Sequence, residues 1–137
     1  MITFLPYSNF GDCAAVLDRQ RLGKQRLEAK QIMLALEGHT RWTNHPAVKM
    51  WRGYSEALAL YGFAVCTEWR RRGYVDNLRE FFGARLPRQD FDAPSWLGEE
   101  ALHESHRSQL MAKLPAWYGK LWPDTAPNLA YLWPEGS

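Results

Sequence analysis

"LDRQRLGKQRLEAKQIM", residues 17–33, sets five cationic side chains, Arg19, Arg21, Lys24, Arg26 and Lys30, around Glu28, the one acid in its interior. The stretch has no proline and is rich in long unbranched side chains, so it reads as helix. At 100° per residue, Leu17, Arg21, Lys24, Glu28 and Gln31 fall within an arc of roughly 80°. Val16, Leu27 and Leu34 line a second side, and Leu22, Ala29, Met33 and Leu36 a third. Spacing alone makes Lys24 and Glu28 an i,i+4 pair, worth about 0.2–0.5 kcal/mol, with the other bases solvated. The rival reading has the bases holding DNA phosphates while Glu28 works on the sugar or base between them. A carboxylate facing a phosphate backbone costs electrostatic affinity, so chemistry rather than binding gives a reason to keep it.

Working outward, the helix is expected to run over 13–37, with Asp12 as N-cap and Gly38 as stop. Gly23 costs about 1 kcal/mol in its middle and marks a break or a close backbone contact. Residues 1–7 are extended, Pro6 biasing Leu5 away from helix. After the loop "GHTRWTNHP", Pro46 suits a first helical turn. Val48, Trp51, Tyr54, Leu58, Tyr61, Val65 and Trp69 form one stripe over 47–72, with Gly53 as a point of division. Arg70, Arg71 and Arg72 complement the negative end of that helix, which Gly73 stops. "VDNLREFF" adds a short helix, "EEALHESHRSQLMAKL" the last full one, closed by Pro115. The tail "AWYGKLWPDTAPNLAYLWP" has no period and is expected to cross the helices as ordered coil. No useful strand alternation or internal repeat is present. The expectation is an all-α single domain over residues 1–137: three main helices, an extended N-terminus and an aromatic, proline-rich C-terminal coil.

Composition is ordinary for a globular chain of 137 residues, 46% hydrophobic and 23% charged, which argues against wholesale disorder. Seven Trp, six Tyr and six Phe are unusual, and either fill the core or stack on nucleic-acid bases. A net charge of +2 permits nucleic-acid binding without demanding it. Cys13 and Cys66 match no zinc spacing and read as buried thiols of a reducing compartment. No apolar run is long enough for a membrane span, and "MITFLPY" lacks the flank of a signal peptide, so the expected location is cytoplasmic.

The stretches "TFLPY", "LDRQRLGKQR" and "NHPAVKMWRG", with "EWRRRGY" and "LPAWYGK" further on, resemble the pyrimidine-dimer DNA glycosylases of the phage endonuclease V type, and most closely their bacterial relatives. In that family two leucines precede a catalytic glutamate in one helix, an order that "LDRQRLGKQRLE" repeats with Leu17, Leu22 and Glu28. The resemblance implies a glycosylase and abasic-site lyase of base excision repair. It acts on double-stranded DNA with a damaged or modified base, as a monomer, with no cofactor and no membrane. Its nucleophile would be the N-terminal α-amine, here of Met1, and its acid/base residue Glu28. Free α-amines have a reference pKa of about 7.7–8.0, so a useful fraction is neutral near pH 7. Leu27 stands where the family has an arginine and Arg21 where it has a histidine, which leaves open a modified pyrimidine other than the ultraviolet dimer.

Candidate DNA contacts are Arg21, Lys24, Asn44, His45, His106 and Arg107. Asn44 and His45 precede a helix, where loop side chains and amides meet phosphates. Trp117, Tyr118, Trp122 and Trp133 divide between stacking on a base and sealing the core, and the resemblance favours Trp117 and Tyr118 for DNA. Two alternatives remain at this level: a non-catalytic DNA-binding module of the same fold, and a metal-dependent hydrolase using His45, His103 and His106.

Overall fold

The computed structural model describes residues 1–136, with Trp42 described by its backbone alone. It is all-helical, as the sequence indicates: α1 (Phe10–Val16), α2 (Arg19–Leu36), α3 (Pro46–Lys49), α4 (Ser55–Arg71), α5 (Arg79–Gly83), α6 (Glu100–Lys113) and α7 (Pro115–Tyr118). A 3₁₀ turn, Trp42–Asn44, leads into α3. No strand occurs among the described residues. The three long helices are α2, α4 and α6; α2 and α1 both pack on α4, and α7 folds back on α6.

The helix expected over 13–37 is two helices. Asn9, not Asp12, caps α1, and the chain straightens at Leu17 (φ −70°, ψ 139°) before Asp18 caps α2. The physical reason lies a hundred residues away. Tyr118 donates its hydroxyl proton to Asp18 Oδ1 at 2.5 Å and accepts the Asp18 amide at 2.9 Å, holding that residue outside helical geometry while Leu17 is buried completely. Leu17 therefore does not share a helical face with Glu28. The other expected divisions are present: Gly53 (φ 84°) separates α3 from α4 and Gly73 (φ 93°) follows α4, both in the left-handed region that glycine enters cheaply. Gly23 is the close approach, where an added Cβ would lie 2.9 Å from the indole of Trp69.

Of the bases around Glu28, Arg26 is employed inside the molecule, Arg21 pairs with Asp18 at 3.3 Å and Lys30 lies over the Phe81 ring, and the arginines that end α4 are likewise engaged. Arg26 reaches Asp76 with Nη2 at 2.6 Å and lies over the Trp69 ring, and Arg70 reaches the same carboxylate at 3.2 Å. Asp76 also accepts the Leu78 and Arg79 amides at the start of α5. Burial pushes its pKa up, but Arg26 and those amides outweigh this and hold it below the ordinary aspartate value. Arg71 and Arg72 clasp Glu68, and Arg72 also donates to the carbonyls of Ala14 and Ala15 at the end of α1. Both cysteines are free and buried, and burial raises each thiol to about 12.

Residues 2–5 run extended beside α2 and α6 and bend from Pro6, with no sheet to join, and side chains take the place of a neighbouring strand. Gln25 does this twice, donating to Ile2 O at 2.9 Å and accepting from Phe4 N at 2.9 Å. The Tyr61 hydroxyl lies 2.8 Å from Phe4 O and 2.7 Å from Gln25 Oε1, and its one proton serves either. His106 Nδ1 accepts from Leu5 N at 2.9 Å, His103 Nδ1 meets Leu5 O at 2.7 Å, and Arg107 donates to Pro6 O at 2.6 Å. Trp51 donates its indole proton to the hydroxyl of Thr3 at 3.0 Å.

Gly62, on the α4 face toward α5, tests the packing. A Cβ there would lie 2.3 Å from the ring of Phe82, which is fully buried and has no room to retreat. Alanine gains up to about 1 kcal/mol of helix propensity, while overpacking costs roughly 1–3 kcal/mol. Gly62→Ala is therefore expected to be net destabilising, read as a lower urea midpoint at unchanged m-value.

Candidate active site

A cavity of 580 Å³ opens between the N-terminal segment, α2, the start of α3 and the C-terminal tail. Its size falls within the range of about 300–1,000 Å³ usual for ligand sites. From α2 it receives Arg21, Lys24, Gln25 and Glu28, from the N-terminus Met1, Ile2 and Phe4, and from the rest of the chain His45, Lys113, Tyr131 and Trp133.

Glu28 is not the solvated half of a surface pair. The residue is 8% exposed, and Oε2 accepts from the Ile2 amide at 3.2 Å and from Gln25 Nε2 at 3.1 Å. Oε1 retains Lys24 Nζ at 3.7 Å, so the i,i+4 pair exists beside the longer-range contact. The carboxylate thus meets the first peptide unit of the chain, one residue from the α-amine. Helix geometry explains Gln25: three residues before Glu28, it shares that face and steadies one of the two oxygens.

His45 reaches the cavity as the cap of α3, Nδ1 accepting from the Ala47 amide at 3.0 Å. Burial lowers its pKa and the positive charge of the N-terminal amine lowers it further, while Glu28 pulls the other way. All three groups therefore share one electrostatic environment. Its ring stands edge-on to Trp133, centroids 6.4 Å apart.

Of the residues expected at the site, Met1, Glu28, Arg21, Lys24 and His45 come together around the cavity. Asn44 is exposed on the preceding turn and does not line it. Trp117 is 45% exposed, with its indole proton given to Val16 O at 2.8 Å. Three expectations are corrected. His106 is fully buried, holding Leu5, and cannot touch a phosphate. Arg107 does not line the cavity, donating to Pro6 O and pairing with the exposed Glu100. Tyr118 is fully buried, stacked on Trp122 at 5.3 Å and bonded to Asp18, so it offers no face to a base. The hydrolase alternative loses its ligands for the same reason: His103 and His106 spend their Nδ1 atoms on Leu5, and His103 Nε2 accepts from Gly98 N at 3.0 Å. Among the described residues no three His, Cys, Asp or Glu side chains converge on a metal position.

Gln25, Lys113 and Tyr131 were not singled out from the sequence. Gln25 could have been found by its spacing from Glu28; nothing local marks the other two, which arrive from α6 and the tail.

A family model described as pyrimidine dimer DNA glycosylase matches residues 1–80, more than half of the chain, and the protein belongs to that family. The match takes in the N-terminal segment, α2 and His45, and stops short of α6 and the tail. No curated protein and no solved structure gives a significant match. No helix among the described residues is long and apolar enough to cross a membrane.

His106 gives the fold a pH dependence. Burial, with a smaller effect of His103, lowers its pKa to about 3. With the unfolded value near 6.5, the unfolded chain binds a proton that the folded one refuses, so stability is full above about pH 6.5 and falls as pH drops toward 3. Between pH 7 and pH 5, where carboxylates are still largely ionised, the loss is about 2 kcal/mol. His106→Asn keeps an acceptor for Leu5 N but binds no proton. Urea unfolding at the two pH values is expected to show a much smaller difference in the variant; an undiminished difference would place the titration elsewhere.

Proposed function

We propose that the chain is a DNA glycosylase with abasic-site lyase activity, excising a damaged or modified pyrimidine from double-stranded DNA in the cytoplasm, as a single domain and a monomer. The Met1 α-amine is the nucleophile and Glu28 the acid/base residue. The observation that carries this reading is the Glu28 carboxylate bonded to the Ile2 amide at 3.2 Å, inside a cavity that Met1 also lines. Membership of the family supports the reaction class. Arg21, Lys24 and Lys113 around the cavity supply positive charge for the phosphates that flank a target nucleotide.

The neutral amine attacks the sugar C1′, and the bond to the base breaks with its electron pair leaving on the base. Loss of the amine proton and opening of the sugar ring leave an imine joining Met1 to C1′. Glu28 then takes a proton from C2′; the electrons form a C2′–C3′ double bond, and the C3′–O bond breaks with its pair departing on the phosphate. Water finally releases the amine. A base-excising enzyme must expose its target sugar, so the duplex is kinked with a nucleotide flipped out of the stack.

With sodium borohydride and a duplex carrying an abasic site, the protein is expected to form a covalent adduct that mass spectrometry maps to the Met1 amine. Glu28→Gln preserves the acceptor for Ile2 N and removes the base. It should bind the duplex at least as tightly while strand cleavage falls by about 10²–10⁴-fold, the usual worth of a general base. Chelator should leave cleavage unchanged. Binding without an adduct would make the protein a DNA-binding module instead.

A further inference from the structure

The C-terminal tail lies outside the matched segment, yet it forms one wall of the cavity. It is bolted down along its length. Leu129 N donates to Ser108 Oγ at 2.9 Å, Gln109 Nε2 to Leu129 O at 2.6 Å, and Leu132 N to Ser105 Oγ at 3.3 Å, all along α6. At its far end Gly136 N donates to Lys49 O at 2.8 Å, and a Cβ on Gly136 would lie only 2.1 Å from Arg52 O, so the strap fits closely against the end of α3. Between these anchors it places two rings in the cavity. Tyr131 stands edge-on to the fully buried His106, centroids 5.6 Å apart, and so is backed by the core. Trp133 rests on Tyr131 at 5.7 Å and on His45 at 6.4 Å, and is 38% exposed.

Trp51, Trp96 and Trp122 are buried, whereas Trp133 is exposed in the cavity wall; Trp117, also exposed, gives its indole proton to Val16 O and does not line the cavity. Tyr131 and Trp133 touch each other, so no base fits between them, and the outer face of Trp133 is the surface on offer. A rigid aromatic face beside a group that attacks C1′ suits the flat face of a base attached to that sugar. We propose that Trp133, supported by Tyr131, is the stacking platform for the base of the extruded nucleotide. The strap, rather than the matched N-terminal half, then sets which base is taken. This rests on the glycosylase reading above.

The test compares a substrate that has the base with one that lacks it. Single-turnover cleavage is measured on duplexes carrying a thymine dimer, thymine glycol or 5-hydroxymethyluracil, and on a duplex with a preformed abasic site, for the unaltered protein and for Trp133→Leu and Trp133→Phe. Leucine keeps an apolar contact for Tyr131 without an aromatic face. Trp133→Leu is expected to slow excision of the best intact-base substrate tenfold or more while changing cleavage at the abasic site less than twofold, and Trp133→Phe to recover most of the loss. Equal losses on both substrates would make the strap a structural brace, and no loss on either would leave Trp133 without a role; both overturn the proposal. Should the unaltered protein cut only the abasic duplex, affinity replaces rate. Trp133→Leu then weakens binding to a mismatched pyrimidine tenfold but not to a tetrahydrofuran site, and equal effects overturn the proposal. Failure of the unaltered protein to cut any duplex removes the glycosylase reading itself, and this inference with it.

Discussion

An extended backbone without a sheet must find hydrogen-bond partners elsewhere or remain a heavy cost, and Ile2, Phe4, Leu5 and Pro6 find theirs on side chains. Gln25, Glu28, Tyr61, His103, His106 and Arg107 contribute from three helices, Gln25 meeting two backbone groups of the segment and each of the others one. The same bonds that satisfy the backbone fix the position of its first residue. The site and the fold are therefore one construction, since an N-terminus left to fray would carry its amine away from Glu28.

The two histidines show how far the arrangement is built for neutrality. His106 accepts through Nδ1, so its proton sits on Nε2, which has no hydrogen-bond partner and lies among Phe4 and Tyr131. His103 accepts at Nε2 from Gly98 and so presents a proton at Nδ1 to Leu5 O. One imidazole takes the Leu5 amide and the other serves its carbonyl. A spacing of three residues, which in sequence resembles a pair of metal ligands, instead brackets one peptide residue from both sides.

Charge near Glu28 divides in a comparable way. Arg26 is committed to the buried Asp76, and Arg72 to Glu68 and the end of α1, which welds α1, α2, α4 and α5 together. Arg21, paired with Asp18 at 3.3 Å, and Lys24, paired with Glu28 at 3.7 Å, line the cavity, joined by Lys113 from α6. A chain of net charge +2 can thus present a positive site without a strongly basic composition.

Local chemistry in the sequence determined the helical class, the extended N-terminus, the stops at Gly53 and Gly73, the close approach at Gly23 and the prominence of Glu28 with Lys24. These are decided by periodicity, glycine conformation and i,i+4 spacing, all properties of neighbouring residues. What sequence could not determine depended on partners about a hundred residues apart. Tyr118 divides one expected helix into α1 and α2 through Asp18, His106 and Arg107 bond to Leu5 and Pro6, and the tail delivers Tyr131 and Trp133 to the cavity. A polar side chain at helical spacing can face solvent or reach a buried carbonyl with equal ease. Only the tertiary structure decides, because the choice depends on which backbone groups would otherwise be buried unpaired.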